Sequence, residues 1–205
     1  MKTKLQNSII LKNISLTRGL KTIFSSLNIE FLCPGLNIIK GENGSGKTSL
    51  LMMISTLLHE DKGTIIRFGK LKTNDWLNEH ILIKQNSYLS DELTIEENLK
   101  IWCGLRGWDF NIDKIEKSLE NFGILKYKKL LVSECSSGIK KKAELCKLNF
   151  QESFKMKCWL LDEPSNHLDA NGKVFLKKIM DKFIDMNGTI LQTSHEKQIN
   201  HKKFR

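Results

Sequence analysis

No apolar run in this 205-residue chain reaches the roughly eighteen residues that a membrane-spanning helix requires. The lysine-bearing N-terminus is not followed by the apolar core of a secretory signal. The chain is therefore expected not to cross a membrane by itself. C-x-x-C spacing is missing too: the five cysteines, Cys33, Cys103, Cys135, Cys146 and Cys158, are odd in number and lie mostly within apolar runs. That pattern argues against a disulfide framework or a zinc site, and predicts buried thiols in a reducing compartment. Internal repeats and flexible linkers are absent, which leaves a chain of single-domain size that can bury a substantial core.

The charge is one-sided, with a formal net charge of +10. Two kinds of partner suit such a balance, nucleic acid and an anionic membrane face. The lysines are spread along the chain, with one modest cluster at Lys140, Lys141 and Lys142. There is no low-complexity basic arm and no stretch in which aromatic residues alternate with basic ones, as single-strand binders use. The charge is therefore read as proximity to anionic lipid or as compositional bias, with no nucleic acid expected as partner.

What is present is concentrated in a few short motifs. Residues 41–48 read GENGSGKT, the pattern G-x-x-x-x-G-K-[ST], between a strand-like run at 36–40 and an apolar helical run at 49–58. In such a loop the glycines, here Gly41, Gly44 and Gly46, let the backbone close tightly. The loop amides, through Glu42, Asn43 and Ser45, then aim at the β- and γ-phosphates, and Ser49 continues into a helix whose positive end faces the same anion. Lys47 supplies a mobile cation, and the Thr48 hydroxyl can ligate magnesium. The ligand predicted is a nucleoside triphosphate.

About a hundred residues later, residues 158–162 (CWLLD) form an apolar run ending in a carboxylate, followed at once by Glu163. A buried strand thus delivers two acids at its C-terminal edge, where parallel sheets present ligands. Phosphoryl transfer to water needs one carboxylate for the metal and another to orient and deprotonate the attacking water. Asp162 is assigned to the metal and Glu163 to the water. A glutamate after a strand is ordinarily just solvated. This one is followed by PSNHLD at 164–169, and a further strand at 188–194 (GTILQTS) ends on His195, placed to reach the γ-phosphate.

Together these residues resemble the ATP-binding-cassette (ABC) ATPases over nearly the whole chain, from about Leu11 to His195. GENGSGKT looks like their Walker A loop, CWLLDE their Walker B segment, SNHLD the D-loop and His195 the switch histidine. Gln85 fits the Q-loop, since it follows a strand at 81–84 and precedes DELTIEEN at 91–98. The resemblance implies an α/β fold, a P-loop NTPase of the ABC nucleotide-binding type with an antiparallel β edge and an inserted helical subdomain. The chain is expected to form one ABC ATPase domain over 1–205, with the core at about 1–85 and 151–205 and the subdomain at about 86–150. It implies ATP and Mg2+ as cofactors, with Thr48, Gln85 and Asp162 at the metal and Glu163, His195 and Gln85 in catalysis. It also implies a homodimer that sandwiches two ATP molecules and a membrane-spanning permease subunit as partner.

The signature motif departs from the family pattern. Where Leu-Ser-Gly-Gly-Gln is usual, this chain has Cys135-Ser136-Ser137-Gly138-Ile139, keeping the serine and the second glycine. By resemblance, Ser136 and Gly138 contact the γ-phosphate held by the opposite subunit, from the start of a helix expected at 139–150. Lys140, Lys141 and Lys142 fall in its first turn, where the helix dipole disfavours cations. Two readings stand, a bound phosphate that reverses that balance and, for Lys141 and Lys142, a solvated basic face.

Periodicity supplies the frame. Residues 9–15 and 22–31 read as edge strands and 64–69 as a short strand returning to them. Ile95, Leu99 and Trp102 share a helical face, as do Ile112, Ile115, Leu119 and Phe122. Residues 174–184 read as a final amphipathic helix, with Phe175, Leu176, Ile179, Met180, Phe183 and Ile184 inward. Arg18 stands where most members carry an adenine-stacking aromatic, and its guanidinium plane can stack as well. The Arg18-Gly19 pair leading into the next strand, with 39–51 and 91–99, is similar to the branch serving haem export in cytochrome c maturation. That likeness implies a permease of the CcmB type and a haem handler of the CcmC type. It places the chain as a peripheral protein on the cytoplasmic face of a bacterial inner membrane, or on the matrix side of the mitochondrial one. Two other readings remain, a soluble ABC protein acting on the ribosome, which PSNHLD suits, and a degenerate non-hydrolysing cassette.

Overall fold

The computed structural model describes residues 8–70, 75–108, 111–150 and 156–194. The chain divides into two compact units, one of 1–82, 157–163 and 183–205, the other of 83–156 and 164–182. The segment 164–182, which follows the Asp-Glu pair, thus belongs with the helical unit.

The first unit carries two sheets. Strands β1 (Ser8–Arg18), β2 (Lys21–Leu32) and β4 (Lys62–Arg67) form an antiparallel sheet in the order β2-β1-β4. In β1 the inward residues are Ile9 and Leu11, then Ile14 and Leu16. Strict alternation would send the second pair outward. A register shift between Leu11 and Ile14, with Asn13 at φ 51, restores them to the core. Strands β3 (Gly35–Lys40), β5 (His80–Ile83), β6 (Cys158–Leu161) and β7 (Thr189–Ser194) form the second sheet, in the order β3-β7-β6-β5. Its β3–β7 and β6–β7 pairs are parallel. All four residues of β6 are buried, as an unalternating apolar run in a covered parallel sheet should be.

Helix α1 (Lys47–Ile54) follows the glycine-rich loop directly and buries Leu50, Leu51, Met53 and Ile54. It is shorter than the apolar run suggests, since that run continues into a turn. The carbonyls at its end are not left to water. Arg67 donates from Nε to the Ile54 carbonyl at 2.7 Å and from Nη2 to that of Met53 at 2.8 Å. Trp76, the first residue of α2 (Trp76–Glu79), donates its indole N–H to Ile54 at 2.7 Å. Burial pulls the Arg67 guanidinium down to about 10 despite the nearby Glu60 carboxylate.

The second unit contains α3 (Ile95–Leu105), α4 (Ile112–Asn121), α5 (Ser137–Cys146) and α6 (Ala170–Asp185) as far as Lys182. Thr94 and Glu97 close a capping box on α3, and Asn111 caps α4. The inward faces carry Ile95, Leu99, Ile115, Leu119 and Phe122, while Trp102 is half-buried and Ile112 lies exposed on the first turn of α4. Phe122 meets Phe175 of α6 edge to face at 4.7 Å. Helix α5 ends at Cys146 and tightens into a 3-10 turn over Lys147–Asn149, so the expected helix at 139–150 is two elements. Helix α6 starts four residues before 174 because Asp169 accepts from the Gly172 amide at 2.8 Å and so caps it. The cysteines are all free thiols, with Cys33 half-buried and the other four buried. No helix among the described residues is long and apolar enough to cross a membrane.

Candidate active site

The glycine-rich loop sits between β3 and α1. Gly44 and Gly46 adopt φ of 75 and 95, the left-handed region that side chains resist. Gly46 also has no room, since a Cβ there would lie 2.5 Å from Ile23 Cγ2 and 2.7 Å from Phe24 Cζ. Gly46 is the N-cap of α1, and no side chain caps that helix. Lys47 is buried and curls back to donate to the carbonyls of Gly41 at 2.7 Å and Glu42 at 3.0 Å. The Glu42 carbonyl also accepts the Ser45 amide, whereas the buried Ser45 Oγ has no hydrogen-bond partner. Glu42, Asn43 and Gly44 are exposed, and Ser49 is buried in the first turn of α1. Lys21, which the sequence did not single out, reaches the Gly44 carbonyl at 3.4 Å. An uncapped helix start, a bent glycine backbone, an orphaned hydroxyl and an ammonium together fit a polyphosphate.

Parallel register brings the acidic pair to this loop. Leu161 at the end of β6 lies beside Gln192 of β7, so Asp162 follows alongside Thr193. Thr48 donates its hydroxyl to Asp162 Oδ2 at 2.7 Å, and Thr193 donates to Asp162 Oδ1 at 2.7 Å. The Glu163 amide in turn donates to Thr193 Oγ1 at 2.9 Å. Asp162, Glu163 and Thr193 are all buried, and Glu163 holds a positive φ of 47. Thr48 and Asp162 therefore meet as a hydroxyl and a carboxylate, hard oxygen donors of the kind magnesium takes. Thr193, like Lys21, is a residue that sequence reasoning missed. Its signal was available in the strand at 188–194, one residue beyond the pairing that places β7 beside β6.

Of the remaining candidate residues, Gln85, Ser136 and Gly138 lie in the second unit and Arg18 in the first. Gln85 is exposed just after β5, and its carbonyl accepts from Lys141 Nζ at 3.3 Å, as that of Lys84 does at 2.8 Å. Ser136 is the N-cap of α5 and accepts the Ile139 amide at 3.4 Å. Gly138 lies in the first turn, where an added Cβ would stand 3.0 Å from the His167 carbonyl. The lysine triplet departs from the reading as a solvated basic face. Lys141 is buried against the carbonyls at 84 and 85, Lys140 pairs with Asp91 at 2.7 Å and Lys142 with Asp169 at 2.8 Å. The Lys142 hydrogen bond, then that of the Gly172 amide, holds the Asp169 carboxyl below the usual carboxylate range. Arg18 is exposed at the end of β1, opposite Lys21 across the Gly19-Leu20 turn. His195 lies outside the described residues.

Comparison with known proteins points the same way. Residues 26–166 match the ABC transporter family. A protein of Haemophilus influenzae named cytochrome c biogenesis ATP-binding export protein CcmA is 29% identical over 194 residues, covering 93% of this chain and 90% of that one. Its namesake in Sodalis glossinidius is 30% identical over 188 residues, covering 90% and 87%. In fold, the chain is similar to a solved ABC transporter ATP-binding protein of Pyrococcus furiosus, with TM-score 0.76, 23% identity and coverage of 93% and 92%. The family match takes in the glycine-rich loop, Gln85, the signature stretch and both carboxylates, and the chain therefore belongs to the ABC transporter family as an ATP-binding subunit of its ATP-hydrolysing kind.

Proposed function

We propose that this chain powers a haem exporter of the cytochrome c maturation type, binding ATP at the glycine-rich loop and hydrolysing it with Glu163 as base. The observation that supports the chemistry best is the 2.7 Å contact between Thr48 and Asp162, residues 114 positions apart in the chain. It puts a metal-type oxygen pair at the foot of the phosphate loop. Bound there, Mg2+ would neutralise developing charge on the phosphates. The protein's own part is to orient. Lys47 leaves the loop carbonyls for the phosphate oxygens, the α1 amides hold the same oxygens, and Glu163 takes the proton of the attacking water. Gln85 and His195 are assigned to the same reaction by resemblance alone.

The ABC family works as paired ATPase subunits with membrane permeases. We assign Ser136 and Gly138 to the nucleotide of the opposite subunit, and Arg18 to adenine. Haem specificity would lie in the membrane partners, of the CcmB and CcmC types, which places the chain at the cytoplasmic face of the bacterial inner membrane or its matrix counterpart. What supports this branch is likeness over about nine-tenths of both chains to proteins named for cytochrome c biogenesis.

Two experiments test the reading. Affinity capture of this chain from solubilised membranes should bring down a CcmB-type permease, and capture of ribosomes in its place would overturn the assignment. A heterodimer of Ser136→Arg with Lys47→Ala concentrates both lesions in one composite site and leaves the other whole. It should bind ATP at that intact site and recover hydrolysis that neither homodimer shows. Normal hydrolysis by the Ser136→Arg homodimer would remove residues 135–139 from the site.

A further inference from the structure

We infer that Thr193 is a positioning residue that fixes, through one hydroxyl, both the carboxylate of Asp162 and the backbone of Glu163. A threonine hydroxyl has one proton to give and lone pairs to receive. Here the proton goes to Asp162 Oδ1 at 2.7 Å, and a lone pair takes the Glu163 amide at 2.9 Å. The other Asp162 oxygen is held by Thr48, also at 2.7 Å, so the carboxylate is gripped from α1 on one side and β7 on the other. It cannot turn without breaking one of the two bonds. Glu163 needs its bond for a different reason: at φ 47 it sits where residues other than glycine rarely settle, and the bond to Thr193 helps to hold its amide there. Thr193 is fully buried, and its β-branched side chain in a strand has few rotamers, which makes it a stiff support. It is not a catalytic residue, because its hydroxyl is engaged by the two residues it positions.

The inference rests on the proposed roles of Asp162 and Glu163. The test uses the full chain, with Thr193→Val to remove the hydroxyl at nearly constant shape and Thr193→Ser to keep it. Labelled ATP is titrated at equilibrium with chelator and with magnesium, Mn2+ binding in the presence of a non-hydrolysable ATP analogue is followed by its electron paramagnetic resonance, and kcat and KM are measured apart. Thr193→Val should bind ATP normally in chelator, lose about tenfold in Mn2+ affinity and about a hundredfold in kcat, with KM nearly unchanged. Thr193→Ser should restore both losses. Wild-type Mn2+ affinity and kcat in Thr193→Val would overturn the inference, as would a Thr193→Ser variant impaired as badly as the valine. If Thr193→Val melts too low to assay, Thr193→Cys takes its place, and wild-type values there would equally overturn it. Failure of the wild-type chain to bind ATP more tightly with magnesium would instead strike the reading of the site, and the inference with it.

Discussion

Two helices in this molecule start at stretches proposed to bind phosphate, and they start in opposite ways. Helix α1 begins at Gly46, in the left-handed region and without a side-chain cap. Helix α5 begins at Ser136, whose hydroxyl already accepts the Ile139 amide. The first presents its amides to a ligand by backbone shape alone. The second is satisfied within its own turn and has spare capacity only for a ligand that arrives from outside. Tolerance to sequence change follows from the same contrast. A Cβ on Gly46 would overlap Ile23 at 2.5 Å, whereas one on Gly138 would meet nothing nearer than 3.0 Å. A motif held by collision keeps its letters. A motif held by a cap and by ion pairs can lose its leading leucine and final glutamine and still form the helix.

The contrast can be broken most sharply on the side of the first helix. Glu163→Gln keeps the shape just after β6 and removes the proposed base, so turnover should fall by about 10²–10⁴-fold while ATP still binds. Sizing in ATP and magnesium should then show a species of twice 23.7 kDa, and normal hydrolysis would end the role given to Glu163. Lys47→Ala removes charge-assisted hydrogen bonds worth about 1.5–3 kcal/mol each, which predicts roughly a hundredfold weaker ATP binding by equilibrium titration. Unchanged affinity would mean that Lys47 does not turn to the phosphates.

The paired glycines sharpen the comparison directly. Gly46→Ala forces a Cβ into Ile23 and Phe24 at a strained φ, and should cost about 1–3 kcal/mol of stability in urea unfolding as well as ATP affinity. Gly138→Ala gains about 1 kcal/mol of helix propensity against a tight carbonyl contact, so its unfolding midpoint should stay near wild type. Equal losses at both positions would abolish the distinction. The smallest effect is expected at Lys142. Asp169 has a lowered carboxyl pKa, so its contribution is complete above the ordinary aspartate range and fades as pH falls through the lowered value. Lys142→Met should cost only a few tenths of a kcal/mol at neutral pH, because the pair is largely exposed on the Asp169 side. The difference from wild type should shrink in strongly acid urea titrations.

The fold and the separate motifs of the candidate site are legible in the sequence because they depend on local chemistry. Glycines at 41, 44 and 46, the apolar run into Asp162, and the apolar faces of α3 and α4 each announce a structure through spacing alone. What was not legible depends on register between distant strands. Thr193 looks like any strand threonine until β7 is laid beside β6. Sequence leaves Lys141 open between a basic face and an anion contact, because its actual acceptors, the carbonyls of the turn after β5, are more than fifty residues away. The start of α6 is hidden because Asp169 belongs to the D-loop-like stretch and also caps the helix. Helix ends are hard to place where an apolar run outlasts the helix, as after Ile54 and after Cys146.

The far end of α1 has a mechanical meaning. Three buried donors, two from Arg67 and one from Trp76, fasten the last carbonyls of a helix only eight residues long. A strut clamped at its distal end cannot slide when its near end is loaded. Any pull exerted on the glycine-rich loop must then be taken up within the loop or carried intact into the sheet. In hydrogen exchange the closing turn of α1 should therefore stay protected whether or not nucleotide is present, while the residues before Lys47 change.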